Sequence, residues 1–145
     1  MRPITAIALF CEDIREEQQG TSTIIGVLPD NLSVGPGPGF LPKLAIDLRI
    51  QIDHAVNVNT IRARIIFSDG RELDMAPFDL GSVEIAKKES IQNSISYTGL
   101  VGKAIIAPVS IQESGKVEVI MTVNDEEFVC GTLRLIVSDP APSGS

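Results

Sequence analysis

"LAIDLRIQID", residues 44–53, alternates oily and polar side chains from Ile46 to Asp53. Successive side chains of an extended chain point to opposite faces. Leu44, Ile46, Leu48, Ile50 and Ile52 therefore line one face, and Asp47, Arg49, Gln51 and Asp53 the other. A helical period does not fit this pattern. The stretch reads as a strand buried on one side, the habit of antiparallel sheets packed over a single core.

The same period of two recurs along the chain. In "IRARIIF" (61–67), Ile61, Ala63, Ile65 and Phe67 face inward while Arg62 and Arg64 face out. "VEVIMTV" (117–123) buries Val117, Val119, Met121 and Val123. "VCGTLRLIV" (129–137) buries Val129, Leu133, Leu135 and Val137, leaving Thr132 and Arg134 outside. Between the strands lie turn signals: "SDGR" at 68–71, "ESGK" at 113–116 and "VNDEE" at 123–127. Glycine after aspartate accepts the positive φ that a tight hairpin turn demands.

The pattern predicts an all-β, two-layer antiparallel β-sandwich, immunoglobulin-like or C2-like, with about eight strands. One domain over residues 1–137 is expected, followed by a disordered tail at 138–145, where "SDPAPSGS" is small, polar and rich in proline. Residues 82–96 are the least decided and admit a short helix. "SVGPGPGFLPKL" (33–44) reads as non-strand, a connection crossing between the sheets, because proline supplies no backbone donor to a ladder.

A chain of 145 residues is long enough to bury a core without a disulfide or metal. Its net charge of −7, with twelve basic and nineteen acidic residues, points away from nucleic acid and from anionic membranes. One tyrosine and no tryptophan leave little aromatic surface on which bases could stack. The apolar run from Ile4 to Cys11 stops at Glu12-Asp13, too short for a membrane span and without a cleavage pattern behind it. A cytoplasmic protein is expected, with Cys11 and Cys130 as reduced thiols.

"LFCEDIREEQQGTSTIIGV" (9–27) reads as a hairpin turning at Gln18-Gln19-Gly20. That turn sets Ile14 against Ile24, Asp13 against Ile25, Glu12 against Gly26 and Cys11 against Val27. Cys11 is then a small buried hydrophobe, Gly26 marks a bulge, and Glu12 to Gln19 form a charged outer end that guards against edge pairing. The residues Cys11, Glu12, Asp13, Ile14, Arg15, Gly20, Ile25, Gly26 and Val27 resemble the opening signature of a family of small, uncharacterised bacterial and phage-associated proteins. The resemblance implies a β-sandwich and carries no activity with it.

Tests for chemistry come back empty. A nucleophilic cysteine needs a base nearby and surroundings that favour thiolate. Cys11 has acidic neighbours, and His54, the single histidine, ends a different strand. No metal-ligand spacing or phosphate-cradling glycine loop occurs, so no cofactor is expected. Asp69, Asp74 and Asp79 lie close enough in sequence to raise a calcium site, although turn and strand roles account for them. Arg49, Arg62 and Arg64, with Arg134, fall on outward phases of strands expected to be adjacent, and a cluster of guanidinium forks suits carboxylate or phosphate. The plainer reading pairs them across strands with Asp47, Asp53 and Glu118.

The expectation is a non-enzymatic protein-binding or assembly module, contacting another protein or a second copy of itself. Outward Ile66 and Ile136 break an otherwise polar phase and favour such a contact. Candidate contact residues are Arg49, Arg62 and Arg64, together with Glu12, Asp13 and Arg15 of the charged hairpin. The alternative is a small-ligand, calcium or anion binder.

Overall fold

A computed structural model describes residues 2–36, 39–75 and 78–138 of the chain. β1 (Ile4–Glu16) and β2 (Ser22–Val27) make the first hairpin, followed by β3 (Asn31–Pro36), β4 (Gly39–Leu41) and β5 (Leu44–Asp53). β6 (Ile61–Phe67) and β7 (Glu72–Met75) form a second hairpin, and α1 (Leu80–Gln92) leads to β8 (Tyr97–Ile106). β9 (Val109–Ile111), β10 (Gly115–Val123) and β11 (Glu126–Ser138) complete the order.

The strands build a four-stranded sheet in the order β2-β1-β5-β8 and a five-stranded sheet in the order β3-β11-β10-β6-β7. β4 and β9 pair in a two-stranded ribbon. Every pairing is antiparallel except β3 with β11. The two sheets enclose one core, and the expected sandwich is what the chain forms. Its inner face holds Leu44, Ile46, Leu48, Ile50 and Ile52 of β5, together with Ala63, Ile65, Phe67, Val117, Val119, Met121, Val123, Leu133 and Leu135.

The turns obey backbone sterics. The β10–β11 turn places Asn124 at φ 49° and Asp125 at φ 69°, the left-handed pair of a type I′ hairpin. Gly70 sits at φ 97° between β6 and β7. The first hairpin turns at Gln18–Gly20 in the register expected, with Cys11 opposite Val27, Asp13 opposite Ile25 and Ile14 opposite Ile24.

Three expectations need correction. The segment 33–44 is not strand-free: it contributes the end of β3 and all of β4, while Gly37 and Pro38 lie outside the described residues. β3 tolerates its glycine and proline because it is an edge strand, paired on one side. The segment does carry the chain from the five-stranded to the four-stranded sheet. Val129 is exposed, not buried. The ladder between β10 and β11 shifts register at Val119/Ile120, with Val129 opposite Ile120 and Gly131 opposite Val119, so Cys130 is an extra residue that reverses the phase. Gly26, by contrast, marks no register shift but a left-handed residue at φ 63°. The expected tail lies outside the described residues except for Ser138, which ends β11.

The undecided segment is α1. Asp79 caps it by accepting the Ser82 backbone N–H at 2.7 Å. Val83 and Ser90, seven residues apart, are its buried positions, and it packs along β8. Ile85 and Ile91 stay exposed, so no continuous apolar stripe announces the helix in the sequence.

Gly131 faces inward where β11 meets β1. A Cβ there would stand 2.9 Å from the Ala8 carbonyl oxygen and 3.2 Å from the Phe10 ring. Gly131→Val is expected to destabilise the fold by about 1–3 kcal/mol through overpacking, read as a lower urea midpoint with an unchanged slope.

Candidate functional site

The first hairpin does not stay flat. β1 pairs with β5 only as far as Cys11 opposite Ala45. Beyond that point the ribbon bends across the outer face of the four-stranded sheet. Lys103 on β8, two strands away from β1, donates to Glu16 Oε1 at 2.5 Å and also to Ser22 Oγ. Beneath the bent ribbon Cys11, Ile14 and Ala45 form a second, small apolar cluster with Ile24 against it. The hairpin end therefore covers part of a face that the alternation of β5 presents as solvated.

Asp47 is caught in this arrangement. Expected outside, it is 1% exposed. Its Oδ2 accepts from Arg49 Nε at 2.9 Å, while Oδ1 is buried without a hydrogen-bond partner among the described residues. Its cross-strand neighbour Lys103 is already held by Glu16 and Ser22.

The rest of that face is bare and apolar. Cross-strand rows set Ile7, Arg49 and Val101 side by side, then Leu9, Asp47 and Lys103, then Val27, Cys11, Ala45 and Ile105. Ile7 is 57% exposed, Val101 47%, Ile105 52% and Val27 59%, with Leu9 beside them. None of these five was singled out from the sequence. A signal was present: "TAIALFC" and "GLVGKAII" are apolar on both phases, as in strands that need cover on both sides. Of the two residues that were singled out as outward, Ile136 is exposed and Ile66 is half-buried.

The arginine constellation divides. β5 pairs with β1 and β8, whereas β6 pairs with β10 and β7, so Arg49 and the Arg62/Arg64 pair stand on different sheets. Arg62 Nε donates to Asp74 Oδ1 at 2.8 Å. Arg64 reaches Glu72 at 3.2 Å and Glu127 at 3.0 Å. The hydrogen bond from Arg62 holds the Asp74 carboxyl below its ordinary range. These are cross-strand ion pairs, as the plainer reading has it, but with partners other than Asp53 and Glu118. Arg134 stands opposite Lys116 in the ladder.

The other hairpin candidates separate as well. Asp13 faces Lys43 Nζ at 3.3 Å, and Arg15 lies 3.8 Å from Glu17. Glu12 lies across Gly26: a Cβ on that glycine would meet the Glu12 carboxylate carbon at 2.7 Å. Glu12 makes no ion pair or side-chain hydrogen bond among the described residues.

Among the described residues the two thiols and the imidazole stand apart. Cys11 stands opposite Ala45, nine residues along β5 from His54, a separation of about 30 Å at strand rise. The Cys11 thiol donates to the Ala45 carbonyl oxygen at 3.5 Å. Burial raises its pKa, and Asp47 and Asp13 raise it further. Cys130, in the main core, is likewise raised by burial. Both thiols are free, and both are held in the protonated, unreactive form. The three aspartates considered for calcium are each engaged separately: Asp69 with Arg71, Asp74 with Arg62, and Asp79 as the helix cap.

Glu16 ties the hairpin end down. The hydrogen bond from Lys103 keeps its carboxyl below the ordinary value. A carboxylate so lowered contributes above its unfolded pKa and loses the contribution as pH falls through the folded one. Both cysteines are expected to label with iodoacetamide about a hundredfold more slowly in the folded chain than in urea. Glu16→Gln is expected to speed labelling of Cys11 about twofold to fivefold, the scale of one exposed ion pair, and to leave Cys130 unchanged. Acidification through the carboxylate range has the same selective effect. Equal acceleration at both thiols would place the hairpin end outside the role described.

No curated protein matches the chain. A family model does, over residues 6–137, nearly the whole of the β-sandwich. The chain belongs to the family of unknown function DUF6941.

Proposed function

We propose that this domain is a non-enzymatic assembly module, and that a second copy of the chain docks on the outer face of its four-stranded sheet. The observation that carries the reading is the exposure of Ile7, Leu9, Val27, Val101 and Ile105 on the outer side of that sheet, around the hairpin end that covers Ala45 and Asp47. Exposed apolar patches of this kind mark contact surfaces.

Charge favours self-association through a small interface. Ten residues of β1, β5 and β8 at about 3.3 Å rise, three abreast at about 4.8 Å, span on the order of 500 Å², part of it under the hairpin end. A standard interface takes roughly 800 Å² from each partner. Two chains of net charge −7 repel, and meet best through a face whose charges are already balanced. Here Arg49 is neutralised by Asp47, and Lys103 by Glu16. The outer face of the other sheet is crossed by ion pairs that separate its exposed apolar residues, Val129 and Ile136.

The setting follows from the same features. Two free thiols support the cytoplasm, and the hairpin resemblance supports a bacterial or phage source. Among the described residues no helix is long and apolar enough to cross a membrane.

Light scattering after size exclusion tests the reading. The natural chain is expected to run at twice the chain mass, and the double variant Ile7→Glu, Val101→Glu at the chain mass, with an unchanged far-ultraviolet circular dichroism spectrum and a melting temperature independent of concentration. A natural chain that stays monomeric at high micromolar concentration overturns the proposal.

A further inference from the structure

The two open sides of the sandwich differ. On one side α1 packs along β8. On the other, the edge strands β2 and β3 stand apart, and a cleft of about 370 Å³ opens between them. Leu28, Leu32 and Leu41 form its walls, with Pro42 and Lys43 at one rim and Glu12 at the other. The three leucines pack against the main core, so the cleft is an apolar opening into the sandwich. Its volume lies within the roughly 300–1,000 Å³ typical of ligand sites.

Glu12 gives the cleft its chemistry. It occupies the inward phase of β1, continuing Ala6, Ala8 and Phe10, at a position where the core would take an oily side chain. Gly26 opposite it, without a side chain, leaves room for the carboxylate to lie at the mouth. The other charge at the rim, Lys43, is neutralised by Asp13 at 3.3 Å, so the mouth presents one uncompensated carboxylate above hydrocarbon walls. A long basic side chain has the matching form: methylenes that pack on apolar surface and a cationic head that seeks a carboxylate.

The backbone supplies the second half of the site. β2 is an edge strand whose outer backbone groups face no neighbouring strand, and its last residue, Val27, leads directly into Leu28 of the cleft. An extended segment added alongside β2 would deliver one of its side chains to that point, the combination of edge pairing and side-chain pocket used in strand addition. We propose that the β2 edge and the Glu12 cleft bind an extended segment of a partner protein, and that the cleft holds one arginine or lysine side chain of that segment. This goes beyond self-association through the sheet face: Val27 borders both surfaces, while Glu12 and the three leucines belong to the cleft alone.

The probe is a pentapeptide labelled at its N-terminus, fluorescein-Thr-Val-Arg-Val-Thr-amide, titrated with the full chain and read by anisotropy. It is expected to bind saturably. Replacing its arginine by norleucine, which keeps the stem and removes the charge, is expected to weaken binding at least tenfold. Glu12→Gln, which keeps the shape over Gly26, is expected to weaken the arginine peptide to the same degree, and Leu32→Ser to weaken both peptides. Glu84→Gln removes the same charge on α1 and controls for general attraction to an acidic protein. Circular dichroism melts confirm that each variant folds. Absence of saturable binding, equal binding of the norleucine peptide, or equal losses from Glu12→Gln and Glu84→Gln each overturns the proposal. Peptide binding by the monomeric Ile7→Glu, Val101→Glu variant keeps this outcome separate from that of the sheet face.

Discussion

The interaction on which the molecule depends is the burial of β5 on both of its faces. Its inner face is ordinary sandwich core, with Leu44, Ile46, Leu48, Ile50 and Ile52 sealed from solvent. Its outer face is sealed over Ala45 and Asp47 because the end of the first hairpin bends back and is fastened to β8 by Lys103. A central strand between two long neighbours fixes their register, and so both outer rows and inner packing follow from it. Where the hairpin stops covering, the oily residues of β1 and β8 come to the surface.

The two sheet faces have been given opposite chemistry. On the five-stranded sheet, Arg62, Arg64, Glu72, Asp74 and Glu127 pair across strands and spend their charge on one another. Pairs this exposed add little stability, but they make that part of the face hydrophilic, with Val129 and Ile136 exposed elsewhere on it. The four-stranded sheet carries the Arg49–Asp47 and Lys103–Glu16 pairs between its aliphatic rows, and Ile7, Val101 and Ile105 stand exposed beside them.

Reactive groups are dispersed by the same architecture. Cys11 lies under the hairpin, Cys130 in the main core, and His54 beyond the opposite end of β5. What is left unpartnered among the described residues is an exposed aliphatic face, the edge of β2, and Glu12 over an apolar cleft. Their common origin is incomplete closure, since one side of the sandwich is packed by α1 and the other is left between β2 and β3.

By itself the sequence determined what depends on neighbours along the chain. Alternation placed the inner faces of β5, β6 and β10, and Asn124-Asp125 and Asp69-Gly70 placed turns. The Gln18–Gly20 turn set the register of the first hairpin, because side-chain phase and turn sterics are local properties. What only the tertiary structure decided is which strands lie side by side and what covers their outer faces. Arg49 parted from Arg62 and Arg64 because no local signal specifies a non-sequential pairing. Val129 left the core because one extra residue in the ladder reverses the phase without altering composition. Asp47 went under because a hairpin from elsewhere in the chain folds over it, and burial imposed from a distance leaves no mark on the residues it buries.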